Sequence, residues 1–372
     1  MHLPGRRAVG LDESGEPVPL NDAVAVAAVL PPGYLRTLLP AYVEDEGAAV
    51  LPLYGYAAVA AVNGRPHVAA LRTDSWQAWD PLDPQRQRVP AGIREAAQAL
   101  PDNRLVPHLE RCATEYRCLT AQNMFLRKGE GAIPVSPACN AACLGCISEQ
   151  WGDVSSPQDR LPFAPSPEEI AELAAWHLSA QPGNFVSFGQ GCEGEPLTRG
   201  AALVEATSRI RSAFPKATIH CNTNGSRPQV LARLVEAGLN SVRISVFSLE
   251  DSRFRAYYRP VGYGLEEVAA CADVVARAGG QVTLNLLTFP GITDEPEEID
   301  RLSRFLTTHK VNQVQLRTLN VDPAWLLARI DPPARGIGMP DFVSGLRSRH
   351  PWVRLGNFTR RWPVPAAAAV PA

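Results

Sequence analysis

Lysine is almost missing from this 372-residue sequence: it occurs only at positions 128, 216 and 310, so Arg supplies most of the 36 cationic side chains. Together with 34 Pro this reads as a coding bias, and no function is drawn from it. An excess of either charge sign is also missing, because 36 Lys and Arg face 38 Asp and Glu for a net charge of −2. There is therefore no bulk positive field to grip a phosphate backbone, and nucleic acid is not the expected partner. A membrane-length apolar run is absent too. The one uncharged stretch of similar length, Gly47 to Gly64, contains Pro52, Gly55 and the Asn63-Gly64 turn, and reads as part of a β-hairpin. The start, Met1 to Arg7, leads to Asp12 and Glu13 without an apolar core, so no secretory signal is expected and a cytoplasmic protein is. What is present, 45% hydrophobic and 20% charged residues, is enough to bury a large core and argues against general disorder.

The length suits one barrel-sized domain plus a smaller one. Residues 1–128 carry short apolar runs broken by Pro and Gly, with a hairpin signal at Ala57–Val62, Asn63-Gly64 and His67–Leu71. They read as a small strand-containing N-terminal α+β domain that covers the barrel mouth. From about residue 129 to 325 the rhythm becomes β-run, helix, β-run, the pattern of a parallel sheet. Strands are expected at Ala132–Ser136, Asn184–Phe188, Thr218–Thr223, Ser241–Phe247, Gln281–Leu287 and Asn312–Leu319. Helices are expected at Ser166–Ser179, Arg199–Ala213, Arg227–Ala237, Leu265–Ala278 and Glu295–Thr308. The fold class is α/β, a six-stranded partial (β/α)6 TIM-like barrel, followed by a C-terminal extension over 326–372 whose Ala- and Pro-rich tail is too simple to pack.

The strands are not the continuous apolar runs of an ordinary buried parallel sheet. His220, Asn222 and Asn224 share one face; Arg243 and Ser245 stand opposite Val242, Ile244 and Val246; Asn285 stands opposite Leu284 and Leu286; Gln313, Gln315 and Arg317 stand opposite Val314 and Leu316. If the apolar set meets the helices, the polar set lines the lumen, where each unsatisfied group costs ~1–3 kcal/mol. A polar ligand would fill it. The plainer alternative is a set of strand-end residues wetted by solvent or an internal network bridged by water.

Eight cysteines in a reducing compartment point to metal or catalysis where they cluster. Cys139, Cys143 and Cys146 have the spacing C-x3-C-x2-C directly after the first barrel strand. Three thiolates on a [4Fe–4S] cube leave one iron open for a non-protein ligand. A zinc site would need a distant fourth ligand such as Cys112 or Cys118, and three unligated core thiols would be the third reading.

This loop resembles the signature of the radical S-adenosylmethionine superfamily, and the resemblance runs from about Ala132 to Asp322. Gly194-Glu195-Pro196 is similar to the family's Gly-Gly-Glu-Pro element, with Glu193 in place of the first Gly, and Thr223-Asn224-Gly225 is similar to its Thr-Asn-Gly strand ending. One departure is Gly145, where the family commonly has an aromatic residue near the adenine.

The resemblance implies an enzyme with Cys139, Cys143 and Cys146 on a [4Fe–4S] cluster that binds S-adenosylmethionine and reductively cleaves it to methionine and a 5′-deoxyadenosyl radical. That radical abstracts hydrogen from an unidentified substrate. It further implies cofactor contacts at Gly194, Glu195 and Asn224, with Glu195 suited to the methionyl ammonium, Ser245 and Asn285 to the ribose, and Arg243 to the methionyl carboxylate or an acidic substrate. An electron donor such as flavodoxin or ferredoxin is the implied partner. A glycyl-radical activating enzyme and a non-catalytic metal-binding scaffold are the alternatives. No Cys follows Cys271, so the Cys-rich extension of many peptide-modifying relatives is lacking, as is the D-x-H-x-x-G cobalamin pattern. Cys221 and Cys271 read as core thiols. Cys112, Cys118 and Cys192, without a CxxC pair, are expected to be isolated rather than to share a second cluster or a zinc ion.

Overall fold

The computed structural model describes residues 1–75, 79–149 and 156–363. The simple tail expected after Pro363 lies outside them. The chain opens with antiparallel strands His2–Leu11 and Pro17–Val26, against which Tyr42–Glu44 pairs. Asn63 and Gly64 take the left-handed conformation at φ 50° and 73° and close a two-residue hairpin between Val59–Val62 and Arg65–Val68. Three helices follow, Val89–Ala99, Leu105–Thr114 and Leu119–Leu126, in the segment read as α+β but without helix ranges assigned from sequence. Their apolar residues recur at helical spacing, as in Val89, Ile93 and Ala96, all buried.

Seven parallel strands, in chain order across one curled open sheet, form the partial barrel: Glu130–Ala132, Phe185–Phe188, Ile219–Thr223, Ser241–Val246, Gln281–Thr288, Gln313–Thr318 and Arg354–Gly356. The count is seven rather than six, because Arg354–Gly356 adds to the edge of Gln313–Gln315. At three residues it is too short to show a period. The first strand ends at Ala132 instead of spanning to Ser136, since the amides of Val135 and Ser136 donate to the Glu193 carboxylate (2.7 and 2.9 Å) rather than to a neighbouring strand.

The covering helices begin where the sequence places them. Pro167–Leu178 starts on a reciprocal cap, Glu169 N–H donating to Ser166 Oγ (3.2 Å) and Ser166 N–H to Glu169 Oε2 (2.7 Å). Val242, Ile244, Leu284 and Val314 turn outward into the fully buried layer with Val268, Cys271 and Val275 of the helix Leu265–Arg277. Among the described residues no helix is long and apolar enough to cross a membrane.

Candidate active site

The loop carrying Cys139, Cys143 and Cys146 lies beyond the C-terminal end of the first barrel strand and is pinned from the opposite side. The amides of Ala142 and Leu144 donate to the carbonyls of Tyr258 and Tyr257 (both 2.9 Å), and Val261 N–H donates to Asn140 O (2.9 Å). Gly145 marks a close approach: a Cβ there would stand 2.3 Å from Val321 Cγ2 and 2.9 Å from the Tyr257 hydroxyl. The volume that an aromatic at 145 would need is occupied by Tyr257, a residue the sequence reading missed because it belongs to a short, strongly polar helix, Asp251–Tyr258.

Cys139 is exposed, and Cys143 and Cys146 are half-buried at residue level. Burial and its two sister thiols push Cys143 far above the usual thiol range, and burial with Glu195 raises Cys139. Thiols that discourage one another's ionisation need a cation to become thiolates. A single ion is not what they fit. The one set of three candidate ligand atoms that converge within 4.8 Å among the described residues is elsewhere, so these three sulfurs stand wider apart than one coordination sphere. Ligands on three separate irons of a cube suit that wider spread.

The Gly194-Glu195-Pro196 loop is stitched to the cysteine loop. Gly194 N–H donates to Ser136 O (2.7 Å) and Glu195 N–H to Ala138 O (2.8 Å). Glu195, 4% exposed, uses its carboxylate on the next strand, accepting from Leu197 N–H (3.0 Å), Asn224 N–H (2.8 Å) and the Thr223 hydroxyl. Burial pushes it up to about 7 against those donors. Asn224 in turn donates from Nδ2 to Asn140 Oδ1 within the cysteine loop (2.9 Å). The three matching sequence elements thus form one connected rim. Glu193, the departure from the Gly-Gly pattern, is buried and collects amides of Val135, Ser136 and Gln190.

Strand register arranges the lumen in layers. The deepest, Ser187, His220, Ser241 and Gln281, is internally bonded, with His220 Nδ1 to Ser241 Oγ at 2.7 Å and Ser241 Oγ donating to Gln281 Oε1 at 2.8 Å. Further towards the C-terminal ends of the strands come Ser245, Asn285 and Gln315. Here Asn285 Nδ2 donates to Ser245 Oγ (3.2 Å) and Arg243 Nη1 to Gln315 Oε1 (2.9 Å), yet Arg243 Nε, Asn285 Oδ1 and Gln315 Nε2 are buried without partners. Such orphans fit a polar ligand in the lumen. Two residues unmarked as site residues by sequence share the space. Glu130 is a buried acid whose field favours the Arg243 charge, and Arg317 is pushed down to about 9 by burial and by Arg243.

Cys221 and Cys271 are core thiols, as expected. The expectation that Cys112, Cys118 and Cys192 are isolated does not hold for Cys112 and Cys192. Cys112 and Cys192 meet His108, with candidate ligand atoms within 4.8 Å of one another. The missed signal was His108, one helical turn before Cys112.

The open end of a parallel barrel, three thiols above it and a polar lumen below define an enzyme that works with an iron–sulfur cofactor. Residues 133–303 match the model of the Radical SAM superfamily, and this part of the chain is a domain of that superfamily. Its cofactors are a [4Fe–4S] cluster and S-adenosylmethionine, and the donor set and rim described above fit both. The chain is similar to GTP 3′,8-cyclase of Pseudomonas entomophila (33% identical over 180 residues, 46% of this chain and 48% of the other). It is also similar to molybdenum cofactor biosynthesis protein 1 of Mus musculus (30% over 143 residues, 38% and 20%). It spans about half the length of the GTP 3′,8-cyclases it matches. Among solved structures, that of methylornithine synthase aligns over 72% of this chain and 77% of that one, with 16% identity and a TM-score of 0.44.

Proposed function

We propose that this chain reductively cleaves S-adenosylmethionine and uses the radical to abstract hydrogen from a small anionic substrate held in the lumen. When bound, the cluster and S-adenosylmethionine supply the electron and the 5′-deoxyadenosyl radical. The residues supply place and polarity. Cys139, Cys143 and Cys146 hold the cluster; Gly194, Glu195 and Asn224 form the rim against which the methionyl group lies; Ser245 and Asn285 offer a hydroxyl and an unpaired carbonyl oxygen to ribose hydroxyls.

The observation that carries the reading is the continuity of that rim, from Asn140 through Asn224 to Glu195 and back to Ala138. An anion is favoured because two guanidiniums, Arg243 and Arg317, share the lumen with the buried acid Glu130, while the Asp74 carboxylate that also acts on Arg317 is paired with Arg360. A small substrate is favoured over a partner protein because N-terminal residues lie across the mouth: Leu51 N–H donates to Asp322 Oδ2 (3.0 Å) and Arg36 Nη2 to Leu319 O (3.1 Å). GTP, the anion named by the curated relatives, is one candidate of this class. The cytoplasmic setting and a small reductant protein as electron source belong to the same reading.

In the test, anaerobically reconstituted protein is reduced with dithionite and S-adenosylmethionine is added. It should carry four irons per chain and release 5′-deoxyadenosine slowly, both lost in the Cys139→Ala/Cys143→Ala/Cys146→Ala variant. Glu195→Ala should keep the iron and weaken S-adenosylmethionine binding about tenfold or more, the loss of ~1.4 kcal/mol of rim contacts. Normal binding by that variant, or tight zinc with no iron at the triplet, overturns the reading.

A further inference from the structure

Cys112 and His108 lie one turn apart on the helix Leu105–Thr114, and Cys192 lies on the loop between the second barrel strand and Pro196. Cys112 and Cys192 are 80 positions apart in sequence, yet the three ligand atoms fall within 4.8 Å of one another, with His108 Nε2 3.7 Å from Cys112 Sγ. Cys112 is 1% exposed and Cys192 5%, so solvent does not serve these sulfurs. Cys118 stands beside them. Its N–H donates to Cys112 O (2.9 Å), and its sulfur meets the Thr120 hydroxyl at 3.1 Å.

We infer that His108, Cys112 and Cys192 hold a zinc ion that fastens the N-terminal helices to the loop leading into Gly194-Glu195-Pro196, with Cys118, whose sulfur stands outside the converging set, as the candidate for the fourth position. Nitrogen and sulfur donors, here two buried thiols and a half-buried imidazole, are the ligand types of a structural zinc site. Spacing separates this from a second iron–sulfur cluster. Zn–S bonds of ~2.3 Å in a tetrahedron put sulfurs about 3.8 Å apart, within the observed convergence, whereas the cube ligands at the barrel mouth stand wider.

The consequence for the barrel follows from what Cys192 touches. Its carbonyl accepts from Leu161 N–H (2.7 Å), and the next residue, Glu193, collects the amides of Val135 and Ser136 at the base of the cysteine loop. An ion on Cys192 would fix the loop from outside while the rim bonds fix it from inside. The site does not depend on the reaction proposed above.

The test uses the full chain with Cys139, Cys143 and Cys146 replaced by Ala, so that failure of the main cluster cannot be mistaken for failure here. Produced with zinc and iron supplied, this protein should retain one zinc per chain by elemental analysis and no iron. Adding Cys112→Ser and Cys192→Ser should lower zinc at least tenfold, while adding Cys271→Ser, a core thiol outside the set, should not. If the serine variants fail to fold, cobalt(II) titration of the metal-free triple-Ala chain is the second measurement: sulfur-to-cobalt absorption saturating at one equivalent and displaced by zinc is expected. Cys118→Ser should weaken that band, and an unchanged band would remove Cys118 from the set. Absence of zinc and of the cobalt band, iron persisting in the triple-Ala chain, or a Cys112–Cys192 disulfide in anaerobically purified protein would each overturn the inference.

Discussion

Gly194 shows how tightly single residues are constrained at the rim. A Cβ built on it would stand 2.1 Å from the Ala138 carbonyl oxygen, a backbone atom of the cysteine loop. Gly194→Ala must therefore separate the two loops or break the Gly194–Ser136 bond, and the overpacking should cost ~1–3 kcal/mol. Iron content of the reconstituted protein should fall along with the thermal midpoint. Wild-type iron with an unchanged midpoint would show that the loops are less closely coupled than the geometry implies. At this scale legibility followed locality. Cys139, Cys143 and Cys146 declare themselves because the ligands of one group lie within eight residues, and Glu195 and Asn224 because they sit in short patterned segments. His108, Glu130 and Tyr257 do not. Each acquires its role with a partner distant in sequence, Cys192 in the case of His108, and alone each is an ordinary surface or core residue.

Among the elements, alternation in the strands was the most informative feature, since period two fixes which side chains share a face whatever the exact strand ends. The polar faces did become the lumen layers. The short Arg354–Gly356 strand and the bounds of the three helices before residue 127 escaped because the former has no period and the latter lie in a region whose short apolar runs are broken by Pro and Gly. The deepest layer carries a pH signature. Burial and the Arg243 charge push His220 down to about 3 against the hydrogen bond to Asn222. A folded-state value below the unfolded one means that the unfolded chain binds the extra proton, so stability is full above about 6.5 and lost as pH falls towards 3. From pH 7 to 5 this amounts to ~2 kcal/mol, at 1.36 kcal/mol per unit. Burial raises Glu193 to about 8 and Glu195 to about 7, and their contributions run the other way, present at low pH and lost as pH rises. The measurement is thus the difference between wild type and His220→Gln in urea. That difference should shrink on acidification from pH 7 to 5, and one independent of pH would place a proton on His220 in the fold.

Across the whole molecule, the N-terminal strands are joined to the barrel by charges that are out of water. Arg6, 2% exposed, donates through Nη2 to Asp322 Oδ2 (2.7 Å) and to Glu44 Oε1 (2.9 Å), while Asp322 also accepts from Leu51 N–H (3.0 Å) just past the last residues of the sixth barrel strand. No sequence pattern announces a pair separated by 316 positions. Removing one partner of a buried pair leaves the other charge uncompensated, which costs ~3–5 kcal/mol, whereas replacing both by apolar groups of similar volume is often neutral. Arg6→Met should accordingly loosen the segment before residue 75, read as faster limited proteolysis there. Iron at Cys139, Cys143 and Cys146 should persist, because none of the bonds that pin the cysteine loop to Tyr257, Tyr258 and Val261 passes through Arg6. Arg6→Met combined with Asp322→Leu should restore much of the protection, as expected if the unpaired Asp322 carboxylate, rather than lost packing, is what opens the joint. Iron lost in step with cleavage in the single variant would instead make the N-terminal strands part of the cluster's own support, and unchanged proteolysis would mean that the joint is held by Arg36, whose Nη2 donates to Leu319 O, without help from Arg6.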